Sequence, residues 1–287
     1  MVNQSKIGVV GSGTMGAGIA QVSAQAGHET LIYDVSQDFI DKGLGRIRGF
    51  LQRSRDRGKI TLEEEERILA RLRGSLKLED FNGACLVIEA APEKLELKRE
   101  IFQKLDSLCD PETLLATNTS SLSVSAIAAG TKNPERILGM HFFNPPPLMA
   151  LVEVIQGGQT LPASIQKAVA IARRLGKTPV CAKDTPGFVV NRIARPFYNE
   201  ALRLLDEGDA RVDTIDQIMK EAGGFRMGPF ELMDLIGIDV NFTVTESLYQ
   251  AFFQDPRFRP SPTQRNMFLA GHLGRKTGRG FYNYGSN

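Results

Sequence analysis

Tryptophan is missing from these 287 residues, and histidine and cysteine are scarce at three each. The cysteines (Cys85, Cys109 and Cys181) are odd in number and far apart, which argues against a disulfide framework or a cysteine-built metal knot. They read as reduced thiols of a cytoplasmic protein, and no metal site is expected. No apolar run approaches the ~18 residues of a membrane span, so no membrane partner is expected. The opening "MVNQSKIGVVGSG" has too short an apolar stretch for a signal peptide and reads as a first β-strand. A formal net charge of +2 is too small to recommend nucleic acid as a partner. No low-complexity segment appears, nor any repeat of roughly 20–50 residues.

What is present is ordinary globular composition, 42% apolar and 24% charged, in a chain long enough for about two domains. "KIGVVGSGTMGAGIAQVSAQAG" (residues 6–27) is a β-branched strand, a glycine turn and a helical pattern closed by Gly27. "ETLIYD" (29–34) is a second strand. Helical patterns follow over 36–57 and over 61–73, the latter opened by Thr61 with Glu64 three residues on. Residues 85–92, 113–119 and 136–142 read as further strands with helices between them. The alternation predicts an α/β fold, a doubly wound Rossmann-type domain with a mainly parallel sheet. Past Pro186-Gly187 strand signals stop, and 188–207, 212–222 and 230–253 are helical. The expected domains are therefore 1–184, doubly wound, and 185–287, all-helical.

Gly11, Ser12, Gly13, Thr14, Met15 and Gly16 spell G-x-G-x-x-G. A bare match is weak, and Gly43, Gly45 and Gly49 form a near-match that is set aside because it lies inside a helical pattern. The first match follows a strand, opens a helix and precedes a second strand ending in Asp34. Gly11 permits the tight turn, Gly13 lets backbone approach a pyrophosphate, and Gly16 lets helix pack on strand. Asp34 can accept hydrogen bonds from both adenosine-ribose hydroxyls and would repel a 2′-phosphate, while Val35 and Ser36 offer no cation to hold one. The expected cofactor is NAD rather than NADP.

His141, in "GMHFFNP", is followed twelve residues on by Glu153 and preceded by Ser120 in "TNTSSL". A neutral imidazole can take an alcohol proton near neutral pH, and a carboxylate behind it stabilises the imidazolium that forms. Glu153 stands between two valines on an apolar strand, where a carboxylate needs a partner. The plain alternatives are a hydrogen-bonded core histidine and, for Ser120, a helix cap.

With these motifs together, the chain resembles the short, single-function 3-hydroxyacyl-CoA dehydrogenases of the 3-hydroxybutyryl-CoA dehydrogenase type. "GSGTMGAGIAQ", "VIEAAPEKLELK", "TNTSSL", "GMHFFNP", "LVEVI", "DTPGFVVNR", "MGPFEL" and "GRKTGRGFY" carry the resemblance in order along nearly the whole chain. It implies His141 as catalytic base, Glu153 as its carboxylate, and Ser120 and Asn191 as groups that hydrogen-bond the reacting oxygen. It further implies that Glu93, Lys98, Asn144 and Lys276 serve the cofactor. For Glu93 and Lys98 the plain alternative is an exposed helix pair, and for Asn144 a simple turn.

Over 36–57, Lys42, Arg46, Arg53 and Arg57 fall on one helical stripe beside Ile40, Leu44, Ile47 and Leu51. Such a stripe is either a solvated surface or a dock for the phosphates of coenzyme A. The resemblance favours a dock, since Arg57 matches a family residue that contacts coenzyme A. Phe50 departs from a small polar family position, and could offer adenine an aromatic face. The expected reaction is NAD-dependent oxidation of a short-chain (S)-3-hydroxyacyl-CoA, in fatty-acid or aromatic-acid breakdown or, reversed, in a synthetic route. Competing readings are a dehydrogenase of a free hydroxy acid (gulonate or carnitine type) and a non-catalytic NAD(H)-binding redox sensor. "GPFELMDLIGIDVNFTV" (228–244) is apolar on more than one side, which predicts a homodimer joined through the helical domain.

Overall fold

In the computed structural model, which describes residues 5–285, the chain divides between Thr185 and Pro186 into two compact units. The first four residues of the opening segment lie outside the described residues, and the strand read there begins at Lys6.

Unit 1 is built on a sheet ordered β3-β2-β1-β4-β5-β6-β7-β8. Its strands are β1 (Lys6–Val10), β2 (Thr30–Tyr33), β3 (Leu72–Ser75), β4 (Ala84–Glu89), β5 (Leu114–Thr117), β6 (Ile137–Phe142), β7 (Leu151–Gln156) and β8 (Thr178–Lys183). All neighbours run parallel except β6 and β7. Its helices are α1 (Thr14–Gln25), α2 (Gln37–Asp56), α3 (Leu62–Leu69), α4 (Leu95–Leu108), α5 (Val124–Ala128) and α6 (Pro162–Arg174). Central parallel strands are covered on both faces, and so β1, β4 and β5 are almost wholly buried apolar runs. Alternate residues feed two cores, with Ile7, Val9 and Ile88 in one and Val10, Val87 and Phe102 in the other. A side chain such as Phe102, fully buried, stabilises the fold by roughly 1.5–3 kcal/mol.

One reading of unit 1 needs correction and one strand is added. The helical pattern over 61–73 ends at Leu69, and the chain re-enters the sheet as β3. Residues 178–183, for which no element was read, form β8 beside β7. In both places an exposed sheet edge sets the conformation, because edge strands lack the apolar alternation that reveals a strand in sequence.

Unit 2 contains α7 (Val190–Glu207), α8 (Val212–Glu221), α9 (Pro229–Ile236), α10 (Ile238–Ala251) and α11 (Pro262–Leu269). Tyr198, Leu202, Ile215, Phe230 and Met233 form its core. The helix expected over 230–253 is two helices, broken at Gly237 with φ of 104°, a left-handed-side conformation that ends α9. Asp216 fixes the start of α9 by accepting from Phe230 N and Glu231 N, both at 2.9 Å, and from Tyr282 Oη at 2.8 Å. Asp234 accepts from Phe281 N and Tyr282 N, which docks the last segment of the chain.

Candidate active site

The parallel strands present their C-terminal ends on one edge of unit 1, and chain order reverses between β1 and β4, where a crevice forms in doubly wound sheets. The glycine loop follows β1 there. Gly11 has φ of 95°. A Cβ on Gly16 would lie 1.8 Å from Gly11 O, so α1 can start this close to β1 only with glycine there. A Cβ on Gly13 would meet nothing within 4 Å, so this backbone faces open space, as a pyrophosphate cradle must. Gly43 has a packing reason instead, since its Cβ would come within 2.8 Å of Ser12 and α2 lies against the loop.

A cleft of about 860 Å³ opens over this loop, bordered by Gly11, Ser12, Gly13, Thr14 and Met15, with Asp34 and Val35 at the end of β2. Asp34 Oδ2 accepts from Ser12 N at 2.8 Å and Ser12 Oγ at 2.6 Å, and Oδ1 accepts from Val35 N. The carboxylate is thus oriented by the loop it would serve. The residues present fit NAD. They also add what Val35 and Ser36 lack: Lys42 and Arg46, from α2, border the same cleft.

Glu93 and Lys98 are not an exposed helix pair. Glu93 precedes α4, and Lys98 is 1% exposed, with Nζ 2.6 Å from Glu89 Oε1 and 3.3 Å from Glu93 Oε2. Burial works to raise the Glu93 carboxyl, but the Lys98 ammonium and hydrogen bonds from Thr119, Ser120 and Ser121 hold it below the ordinary range. Through Ser120 N at 3.1 Å and Ser121 N at 3.3 Å, Glu93 orders the turn that carries Ser120. Glu89, fully buried at the end of β4, escaped the sequence reading. It accepts from Lys98 Nζ, from Ala91 N at 2.7 Å and from Thr117 Oγ1 at 2.7 Å. A lone acid in the apolar run "CLVIEAAP" was the available signal.

His141 and Glu153 face each other across the antiparallel β6–β7 pair. Nδ1 of His141 is 2.7 Å from Glu153 Oε2, with the two residues 6% and 0% exposed, and Phe143 packs on the imidazole at 4.5 Å between ring centres. The end of β6 is tied to the Ser120 turn by Phe142 N donating to Asn118 Oδ1 at 2.8 Å. Asp184, at the end of β8, accepts from Ser123 Oγ, Val124 N and Ser125 N and so fixes the start of α5 just after that turn. Asn144 is exposed in the loop after His141, whose carbonyls at Pro146 and Met149 accept from the buried Lys177 at 2.6 and 2.9 Å.

On α2, Ile40, Ile47 and Leu51 are buried and the basic stripe is outside. Phe50 and Arg53 border a groove of about 330 Å³ together with Gly18 of α1 and Pro145–Pro147. Arg57 caps the end of α2 and does not border it. Asn191 and Lys276 belong to unit 2. Asn191 is half-buried at the start of α7, and Lys276 Nζ is bound to both oxygens of Asp239 at 2.5 and 2.6 Å.

Residues 6–185 match the model of the 3-hydroxyacyl-CoA dehydrogenase NAD-binding domain, and residues 187–284 that of the 3-hydroxyacyl-CoA dehydrogenase C-terminal domain. The 3-hydroxyadipyl-CoA dehydrogenase of Escherichia coli (strain K12) is 48% identical over 99% of this chain, which spans only 60% of that protein's length. A probable 3-hydroxybutyryl-CoA dehydrogenase of Deinococcus radiodurans is 44% identical over 97% of this chain and 100% of its own. The crystal structure of (S)-3-hydroxybutyryl-CoA dehydrogenase from Ralstonia eutropha superposes with a TM-score of 0.93 at 42% identity, covering 99% of this chain and 100% of that one. Motif order, fold and likeness along the full chain agree: this protein belongs to the NAD-dependent 3-hydroxyacyl-CoA dehydrogenase family.

Proposed function

We propose that the protein interconverts short-chain (S)-3-hydroxyacyl-CoA and 3-oxoacyl-CoA, with 3-hydroxybutyryl-CoA and acetoacetyl-CoA as the pair to test first. The observation that carries this reading is the His141–Glu153 pair at 2.7 Å, on the same sheet edge as the glycine loop. NAD, when bound, supplies the acceptor for the hydride from C3. Gly11, Ser12, Gly13, Thr14, Met15 and Gly16 hold its pyrophosphate, Asp34 its adenosine ribose, and Glu93, Lys98 and Asn144 its nicotinamide-ribose side, with Lys276 a further cofactor residue. His141 takes the C3 hydroxyl proton on Nε2, because Nδ1 is turned to Glu153. The Glu153 carboxylate stabilises the resulting imidazolium, and Ser120 and Asn191 donate to the oxygen as it becomes a carbonyl. In reduction His141 returns the proton.

Coenzyme A is assigned to α2, where Arg53 and Arg57 meet its phosphates and Phe50 flanks its adenine. The protein is further proposed to be a cytoplasmic homodimer joined through unit 2. Leu235, Ile236 and Val240 support that, being 51%, 40% and 47% exposed around the α9–α10 break. Sedimentation equilibrium tests it, since a 31.5 kDa monomer would end the dimer reading. For activity, the decisive screen compares C4, C6 and dicarboxylic 3-hydroxyacyl-CoAs with free 3-hydroxybutyrate. Turnover of the free acid as fast as of its CoA ester would overturn the assignment, and preference for the dicarboxylic ester would overturn its short-chain part.

A further inference from the structure

Asp34 and Arg46 grip the same residue from different sides. The Asp34 carboxylate accepts from Ser12 N and Ser12 Oγ, while Arg46 Nη1 donates to Ser12 O at 3.1 Å. Their charged groups therefore stand no more than the span of one residue and two hydrogen bonds apart. Arg46 takes part in no ion pair among the described residues. One helical turn earlier, Lys42 borders the same cleft. Its ammonium is bound to Asp38 at 2.7 Å, with the two side chains 60% and 66% exposed, so this is a solvated pair that is easily given up. On the α4 side, Glu100 and Lys104 border the cleft with opposite charges.

We infer that exclusion of NADP rests on the Asp34 carboxylate alone, and that Arg46, assisted by Lys42, forms a latent site for a ribose 2′-phosphate. This rests on the assignment of Asp34 to the adenosine ribose. A 2′-phosphate entering beside Asp34 meets a fixed like charge, a juxtaposition that costs several kcal/mol. Without that charge the same phosphate meets a guanidinium already pinned to the glycine loop, which can offer it two parallel N–H donors. Asp34→Asn is the informative change. Its amide oxygen can still accept from Ser12 N, so the loop keeps its anchor, but the repelling charge is gone.

The experiment measures kcat/KM for NAD and NADP, at saturating acyl-CoA, in the full-length wild type, Asp34→Asn and Asp34→Asn/Arg46→Ala. Wild type should strongly prefer NAD. Asp34→Asn should raise the NADP/NAD ratio by about 10²-fold, the worth of relieving a like-charge contact. Adding Arg46→Ala should take back about 10–100-fold of that ratio, as expected for hydrogen bonds to a charged group. The inference is overturned if Asp34→Asn loses NAD without gaining NADP, or if the double variant keeps the whole gain. Equal use of both cofactors by wild type would instead overturn the Asp34 assignment itself. Should Asp34→Asn fail to fold, Asp34→Ser replaces it, read by calorimetric binding of 2′,5′-ADP against 5′-AMP. Tighter binding of 2′,5′-ADP supports the site, and equal binding of the two overturns it.

Discussion

Replacing Glu153 by Gln removes one charge from a position where nothing else need change. The side chain is fully buried on β7 and directly opposite His141, and the amide has nearly the same volume. At 2.7 Å and an effective dielectric of ~20, an imidazolium and a carboxylate attract by roughly 6 kcal/mol. A neutral amide oxygen accepting from Nδ1 recovers about 1–3 kcal/mol of that. With His141 as the proposed base, acquiring its proton in the transition state, that state should thus lose about 3–5 kcal/mol, a fall in kcat of ~10²–10³-fold or slightly more. Steady-state reduction of acetoacetyl-CoA, followed by loss of NADH absorbance, measures it, with NADH affinity and thermal unfolding run beside it. His141→Gln should lose about 10²–10⁴-fold, and because Glu153 acts through His141, the double variant should be hardly worse than His141→Gln alone. A Glu153→Gln enzyme within tenfold of wild type, or fully additive losses in the double variant, would refute the reasoning.

Three further outcomes are expected. Arg57→Ala should raise KM for acyl-CoA more than it lowers kcat, because a phosphate contact remote from C3 contributes uniform binding; equal discrimination by wild type and variant between acetoacetyl-CoA and its 3′-dephospho analogue would return Arg57 to the solvated surface. Asp106→Asn should destabilise unit 1 by about 3–5 kcal/mol, since it leaves the buried Arg136, 2.8 Å away, without its counter-charge. Burial works to raise the Asp106 carboxyl, but hydrogen bonds from Arg136, Asn133 and Lys132 hold it below the ordinary range. The gap between wild type and variant in urea unfolding should therefore be full above the unfolded carboxyl's pKa of ~3.9 and close as pH falls through the lower folded value; a gap that persists at still lower pH contradicts this. Alkylation at pH 8 with peptide mapping should mark the exposed Cys181 first, whereas Cys109, whose thiol burial pushes up to about 11, should react only on unfolding.

What could be read from sequence was whatever depends on local spacing. The glycine loop, Asp34 and the strand-borne His141 and Glu153 were legible because each sits at a fixed offset from a strand or turn. Glu89 stood out in sequence only as a lone acid in an apolar run, and its partner Lys98, nine positions on, is identified only once the chain is seen to fold back over it. The same folding moves Lys98 from a helix surface to the interior. The place of Arg46 beside Ser12 escaped for a similar reason: its stripe on α2 says which residues share a face, but not that Gly43 brings that helix onto Ser12. Segment ends fared worst at β3 and at Gly237, where neighbouring structure overrides a helical pattern.

The antiparallel β6–β7 pairing has a consequence for how such a protein can diversify. His141 and Glu153 meet because two strands share a ladder, and a shift of one position would turn either side chain to the opposite face. Residues 143–150, which join the strands, set no part of that ladder, and connecting segments tolerate insertion far better than strands do. Beyond Phe143, which packs on the imidazole, and Asn144, this loop can lengthen, shorten or exchange its prolines while the His141–Glu153 pair stays where it is. The groove that Pro145–Pro147 border is therefore an evolvable module, and a library confined to residues 145–150 varies its wall without moving the His141–Glu153 pair.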